Sequence, residues 1–168
     1  MVPLTLSRIM FVLLIANEAF VASRTSASEM SEINLPPIAA LSFLLLLVPF
    51  VFVLPLPDWL AWLAFSIQLF GFILEVASEI QLMRADSFAA SSKAGKNIQT
   101  QGMYRLLENP IYIGMLLQGI GWMLWMPIAL IAIVLLYTVM RQMVARERTH
   151  LSTMGVTHRG LDSVLWPQ

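Results

Sequence analysis

Cysteine is missing from the chain, which removes disulfides, a thiolate nucleophile and any sulfur-ligated metal centre. Histidine is nearly as scarce. His150 and His158 are the only two, too few for a zinc site of ordinary composition, so no metal is expected. Only 12% of the 168 residues are Asp, Glu, Lys or Arg, where soluble domains carry about a quarter. Those charges sum to zero, so no net field recruits nucleic acid. SSKAGK (Ser91 to Lys96) has the residue types of a phosphate-binding loop without its spacing and reads as a plain polar loop. Internal repeats and low-complexity tracts are lacking too. What the chain has in excess is apolar surface: 58% of residues are hydrophobic and the mean hydropathy is +0.77. So few polar side chains cannot clothe a water-soluble globule, so the composition is that of a membrane protein.

A bilayer core about 30 Å thick takes about 20 apolar helical residues to cross. Four runs approach that length: Leu35 to Leu54, Asp58 to Leu82, Pro110 to Trp125 and Pro127 to Met143. A fifth, Val2 to Val21, is interrupted by Arg8 near one end and by Asn17 and Glu18 near the other. PLPD (Pro55 to Asp58) separates the second run from the third, and WMP (Trp125 to Pro127) the fourth from the fifth. Proline ends helices by removing a donor and fixing its own backbone angle, so each break predicts a tight helical hairpin. The expected fold is all-α, with about five transmembrane helices and two hairpins. Residues 1–82 would supply the first three spans, and residues 83–168 a polar loop, a membrane hairpin and a tail.

Lysine and arginine counts on the two sides of a membrane set its orientation. With five crossings, Arg24, Arg84, Lys93, Lys96, Arg105, Arg141, Arg146, Arg148 and Arg159 fall on one side and Arg8 alone on the other. The loop at 83–110 and the C-terminal tail are therefore expected in the cytoplasm. The first run has some features of a signal peptide, but cleaving it would place the basic loop outside, so a retained first helix is expected.

LENPIYIG (Leu107 to Gly114) lies where the polar loop meets the fourth run. Asparagine favours the N-cap, proline the first helical position, and the residue before proline is driven off helical angles, so Asn109 and Pro110 predict a helix start. Free amide hydrogens and the positive dipole end would then face the cytoplasm, ready to receive an anion. Gly114, Gln118 and Gly121 follow at helical spacing as a small, polar stripe suited to close packing. Upstream lies GMYR (Gly102 to Arg105); downstream, beyond the second hairpin, lies VARERTHL (Val144 to Leu151). All three stretches are expected at one membrane face.

The order G-x-Y-R, N-P-x-Y-x-G, hairpin, E-x-x-x-L resembles the C-terminal core of the isoprenylcysteine carboxyl methyltransferase and phospholipid methyltransferase superfamily, over roughly Leu82 to Gly155. The isoprenylcysteine branch reads R-H-P-x-Y-x-G where this chain has Glu108 and Asn109 before Pro110; asparagine there is similar to the phospholipid branch and to bacterial relatives. The paired acids of E-E-x-x-L appear here as Glu147 and Arg148. Trp166 and Pro167 echo the aromatic and proline ending common in the family. The resemblance implies an integral enzyme of the bacterial inner membrane that takes S-adenosylmethionine from the cytoplasm and methylates a lipophilic acceptor arriving through the bilayer.

It also implies roles. Gly102, Tyr104, Asn109, Pro110, Tyr112, Gly114 and Glu147 would form the cofactor pocket, with Arg105 and Glu147 acting closest to the chemistry. Each residue alone has a plainer use: Arg105 as an inner-face charge, the tyrosines as interfacial anchors, Glu147 as a solvated helix end. In combination and in this order they mark a site. Glu75 and Glu79 lie one turn apart in the third run, where a mid-membrane charge costs about 2.5 to 3.5 kcal/mol and so faces protein or water. Glu75 and Gln118 are expected to line the acceptor cavity. Two other readings fit the composition: a non-catalytic membrane subunit, favoured by the missing second glutamate, and a nicotinamide-dependent reductase of related architecture. Neither the acceptor nor the oligomeric state is written in the sequence.

Overall fold

A computed structural model describes residues 1–24, 53–84, 101–153 and 160–166. Every regular element among them is helical: α1 (Val2–Arg24), α2 (Asp58–Arg84), α3 (Met103–Leu106), α4 (Pro110–Trp125), α5 (Ala129–Thr153) and a terminal 3-10 turn (Leu161–Leu165). The expected run at Leu35 to Leu54 and the loop from 85 to 100 lie outside the described residues, apart from Val53 and Leu54. The other runs are helices close to their expected limits.

Three of them, at Val2–Phe20, Asp58–Arg84 and Ala129–Thr149, are long and apolar enough to cross a membrane. Large apolar side chains such as Val12, Phe70, Ile73 and Ile131 point outward from them, as a lipid-facing surface requires. α4 has the limits expected of it, Pro110 to Trp125, but it is short for a crossing. Its 16 residues rise about 24 Å, less than the thickness of a bilayer core. A difference in limits concerns α5, which continues ten residues beyond the expected Met143 to Thr153. The stretch containing Glu147 and Arg148 is therefore the last part of a membrane helix rather than a separate polar segment.

Local chemistry explains the limits. Asp58 opens α2 behind Pro55 and Pro57, and Arg84 closes it, so each end carries the charge its dipole favours. Pro110 occupies the first turn of α4. At the other end Pro127 follows Met126, and α5 starts two residues later, its first turn tied by Ala129 N–H to the Met126 carbonyl at 2.9 Å.

α4 packs chiefly along α2 and in the opposite direction, with α5 and α1 making smaller contacts. Glycine makes the approach possible. A Cβ on Gly71 would lie 2.6 Å from the Gly114 carbonyl oxygen, and one on Gly114 would lie 2.7 Å from that of Gly71. Two helical turns away, a Cβ on Gly121 would sit 2.8 Å from the Ala64 carbonyl oxygen. Small residues at these points let two backbones touch, and the gain is dispersion contact between close-packed surfaces.

At the Asp58 end, Phe11, Leu14, Ala61, Ala64, Trp122, Trp125 and Met126 form one apolar core, with the Phe11 and Trp122 rings edge to face at 6.0 Å. At the other end, Asn17 of α1 bonds Glu79 of α2. α1 and α2 thus run in the same direction, as first and third crossings should. A second core, at the far end of α4 and α5, gathers Leu136, Met140, Val144 and Trp166, with Tyr112 and Tyr137 against it.

The two kinds of glycine contact predict unequal costs. A Cβ at Gly71 meets main chain, whereas one at Gly119 meets the Ile133 side chain, which can turn aside. Gly71→Ala is expected to cost about 1–3 kcal/mol by overpacking, and Gly119→Ala distinctly less. Thermal unfolding of both variants in one detergent checks this; equal shifts would count against the close crossing.

Candidate active site

From its middle to the Arg84 end, which is called the inner end for its place in the fold, α2 carries a column of buried polar side chains: Gln68, Glu75, Ser78 and Glu79 are each at most 3% exposed. Helical spacing puts all four on one face, turned toward α4 and α1. Gln118 of α4 donates to Glu75 Oε2 at 2.5 Å, and Asn17 of α1 donates to Glu79 Oε2 at 2.5 Å. Glu18 completes the group, for the carboxylates of Glu18, Glu75 and Glu79 each place an oxygen within 4.8 Å of the others. Three carboxylates at that spacing cannot all be charged in a dry interior at low cost. A shared proton, or a cationic group seated among them, would relieve the repulsion.

Below this column the chain turns at Gly102, whose φ of 61° lies in the left-handed region glycine favours. A Cβ there would strike the amide of Gln81. That amide holds the turn from both sides: its nitrogen donates to the Gln101 carbonyl at 2.5 Å, and its oxygen accepts from Met103 N–H at 3.2 Å. Ser78 Oγ reaches Met103 Sδ at 3.7 Å. The short helix α3 is thus fastened to α2, with Tyr104 buried and Arg105 exposed.

The Tyr104 hydroxyl is buried and has no hydrogen-bond partner among the described residues. Burial first, and then the negative charge of Glu147, push its ionisation well above the usual range, so it stays a neutral phenol with a proton to donate. Glu147 itself, on the last turns of α5, is exposed as a residue, although protein surrounds its carboxyl group. A buried donor without an acceptor among the described residues, beside a carboxyl group, is what a polar ligand could use.

The start of α4 differs from the simple capping expected of Asn109. That residue is the N-cap, but its side chain makes no cap bond. The anion comes from the chain's own tail instead. Asp162, 4% exposed, accepts Glu108 N–H at 2.6 Å through Oδ1 and Asn109 N–H at 2.9 Å through Oδ2. The anion pocket expected there is therefore filled from within as far as these two amides go. Pro110 is buried directly behind them.

Arg148 provides the second fastening. Its guanidinium meets Glu108 in a fork, Nε to Oε1 at 2.5 Å and Nη2 to Oε2 at 2.7 Å. Its remaining nitrogen, Nη1, donates to the Trp166 carbonyl at 2.5 Å. Two of the three places where the chain departs from the isoprenylcysteine pattern, Glu108 and Arg148, are thus the two halves of one ion pair. In this geometry arginine at 108 and glutamate at 148 would face each other as glutamate and arginine do here.

The expected site residues therefore fall into two sets. Gly102, Tyr104, Arg105, Asn109 and Glu147 come from chain segments that the inner end of the fold brings together. Gly114 is committed to the helix crossing, and Tyr112 packs its ring edge to face on Trp166 at 6.2 Å. Glu75 and Gln118 meet one another directly, within the polar column. Asp162, Gln81 and Glu18 were not singled out by their sequence. The pairing of Asn17 with Glu18 inside an apolar run was the one available signal for the last of these.

A family model described as phospholipid methyltransferase matches residues 59–154. The chain belongs to the phospholipid methyltransferase family. The match takes in all but the first residue of α2 as well as α3, α4 and α5, so it reaches well beyond the stretch from Leu82 on which the resemblance was read. Asn109 before Pro110 agrees with that branch. No curated protein and no solved structure matches the chain.

The unsatisfied hydroxyl has a consequence for stability. Tyr104→Phe removes a buried polar atom that the protein does not pair, so the melting temperature should hold or rise, by up to about 1 kcal/mol of stability. A clear fall in thermal unfolding experiments would mean that the hydroxyl already has a partner.

Proposed function

We propose that the protein transfers a methyl group from S-adenosylmethionine to a hydrophobic or lipid-like acceptor at the inner end of α2, α4 and α5. The observation that carries this reading is the unpaired Tyr104 hydroxyl under the charge of Glu147, within the segment that matches a methyltransferase family.

When bound, S-adenosylmethionine supplies a methyl group on a sulfonium, already activated for transfer. The work left to the chain is to hold, orient and dehydrate. Glu147, near the end of α5, would take the amine or a ribose hydroxyl of the cofactor. Tyr104 would donate its proton to an acceptor atom of the same molecule, and its ring offers a face to positive charge. Arg105, exposed on α3, is placed to neutralise a carboxylate at the entrance. Asn109 and Gly102 shape the turns on either side of Tyr104.

The acceptor side would be the polar column. Glu75, with one oxygen unpaired, and Gln118 could seat a polar or cationic head group while its tails stay in lipid. This asks for a cytoplasmic face at the inner end, in keeping with the lysine and arginine distribution. The division into three N-terminal spans (1–82) and a catalytic core (83–168) belongs to the same proposal, with α2 lending its inner face to the core.

Against a non-catalytic subunit stands the fork with Glu108, which gives Arg148 a use other than replacing a glutamate. Titration of detergent-solubilised protein with S-adenosylmethionine, its demethylated product and NADPH separates the readings. Saturable binding of the first two and none of the third is expected. Glu147→Ala should weaken that binding at least about tenfold, equivalent to about 1.4 kcal/mol, with the helical content unchanged. Wild-type protein that binds neither methyl donor nor product would end the proposal.

A further inference from the structure

Two residues outside the proposed contacts tie the C-terminal turn to the place where α4 begins. Asp162 accepts three donors: the amides of Glu108 and Asn109 and, through Oδ2, the Trp166 indole N–H at 3.1 Å. Arg148 uses all three faces of its guanidinium, two on the Glu108 carboxylate and one on the Trp166 carbonyl. Trp166, 1% exposed, lies stacked on Tyr137 at 5.7 Å with Tyr112 at its edge, and Tyr137 donates its hydroxyl to the Leu165 carbonyl. A Cβ on Gly160 would collide with the backbone of Leu107 and Glu108. The tail is thus pressed against the junction between α3 and α4 and locked there by charge-assisted bonds, which are the strong ones.

That lock has a geometric consequence. Arg148 immediately follows Glu147, and Glu108 follows Tyr104 by four residues. The fork between Arg148 and Glu108 therefore fixes the end of α5, carrying Glu147, against the segment carrying Tyr104. Asp162 fixes the same segment from the other side by holding its amides. We propose that Arg148 and Asp162 are positioning residues of the methyl-donor site, which clamp the tail 160–166 across the start of α4 and so hold Glu147 and Tyr104 at a working separation. This rests on the function proposed above. Neither residue touches the cofactor; each acts through the groups it aligns.

The test uses the full chain in detergent and reads two quantities: affinity for S-adenosylmethionine by calorimetry, and hydrogen exchange of the peptide spanning Leu107 to Tyr112. Arg148→Lys keeps the charge but cannot fork, and Asp162→Asn keeps the shape but weakens the acceptor. Both should raise exchange of that peptide at least about tenfold and weaken cofactor affinity at least about fivefold, while exchange within α2 stays at the wild-type rate. Should either variant fail to fold, Tyr137→Phe, which removes a single bond to the tail, should shift both quantities in the same direction by a smaller factor. The paired exchange Glu108→Arg with Arg148→Glu should restore affinity toward wild type relative to either single change. Faster exchange with unchanged affinity would overturn the positioning role and leave the tail a purely structural cap. Wild-type protein without affinity would overturn the donor site itself, and with it this role, whereas affinity in the wild type that survives every variant would overturn the positioning role alone.

Discussion

The approach of α2 to α4 at Gly71 and Gly114 is the contact on which the rest is arranged. Membrane helices gain nothing from burying apolar side chains against each other rather than against lipid, so what holds them is close packing and the bonds that closeness permits. With main chain against main chain at this level, Glu75, one turn beyond Gly71, and Gln118, one turn beyond Gly114 in the opposite direction, come into hydrogen-bond range across the crossing. The same crossing directs the start of α4 toward α3, because α3 is itself fastened to the inner end of α2 through Gln81 and Ser78. A larger residue at either glycine would separate all of these together.

Polar groups are concentrated at one end of the fold, and the reason is energetic. Near the Asp58 end the core is Phe, Leu, Ala, Trp and Met, with few polar atoms among them, Ser7 Oγ and Trp125 Nε1 being two. Toward the inner end the same three helices contribute Asn17, Glu18, Glu75, Glu79 and Gln118, each too costly to face hydrocarbon. Once such groups are inside protein they must pair, and they do so across helices: α1 to α2 and α4 to α2. The pairing is incomplete, with one oxygen each of Glu18 and Glu75 and both polar atoms of Gln68 left without a partner among the described residues. A native interior seldom leaves such groups idle, which is why the column is read as the acceptor side of the site.

How far the sequence carried depended on whether a feature was local. Proline punctuation placed the start of α2 correctly, and Asn109 with Pro110 placed the start of α4, because both obey rules spanning a few residues. The continuation of α5 to Thr153 was not legible, since the charged run after Met143 ends the apolar signal without ending the helix. The limits of α4 were legible to the residue, since Asn109–Pro110 and Pro127 punctuate both ends. Of the proposed site residues, Tyr104 and Glu147 were singled out through motif order. Asp162 was not, since it acts over more than fifty positions of separation and nothing near it in the chain hints at the amides it holds.

Long-range pairing also changes how the motif departures should be weighed. Counted along the sequence, Glu108 and Arg148 are two independent losses, and two losses suggest a decaying active site. Counted in space they are one event. Had either change occurred alone, two like charges would face each other in a half-buried setting, at a cost of several kcal/mol. The fork that Arg148 and Glu108 form, at 22% and 7% side-chain exposure, gives both residues a structural use in this chain. The pattern that resemblance alone reads as degraded is, in three dimensions, an intact contact between the beginning of one helix and the end of another.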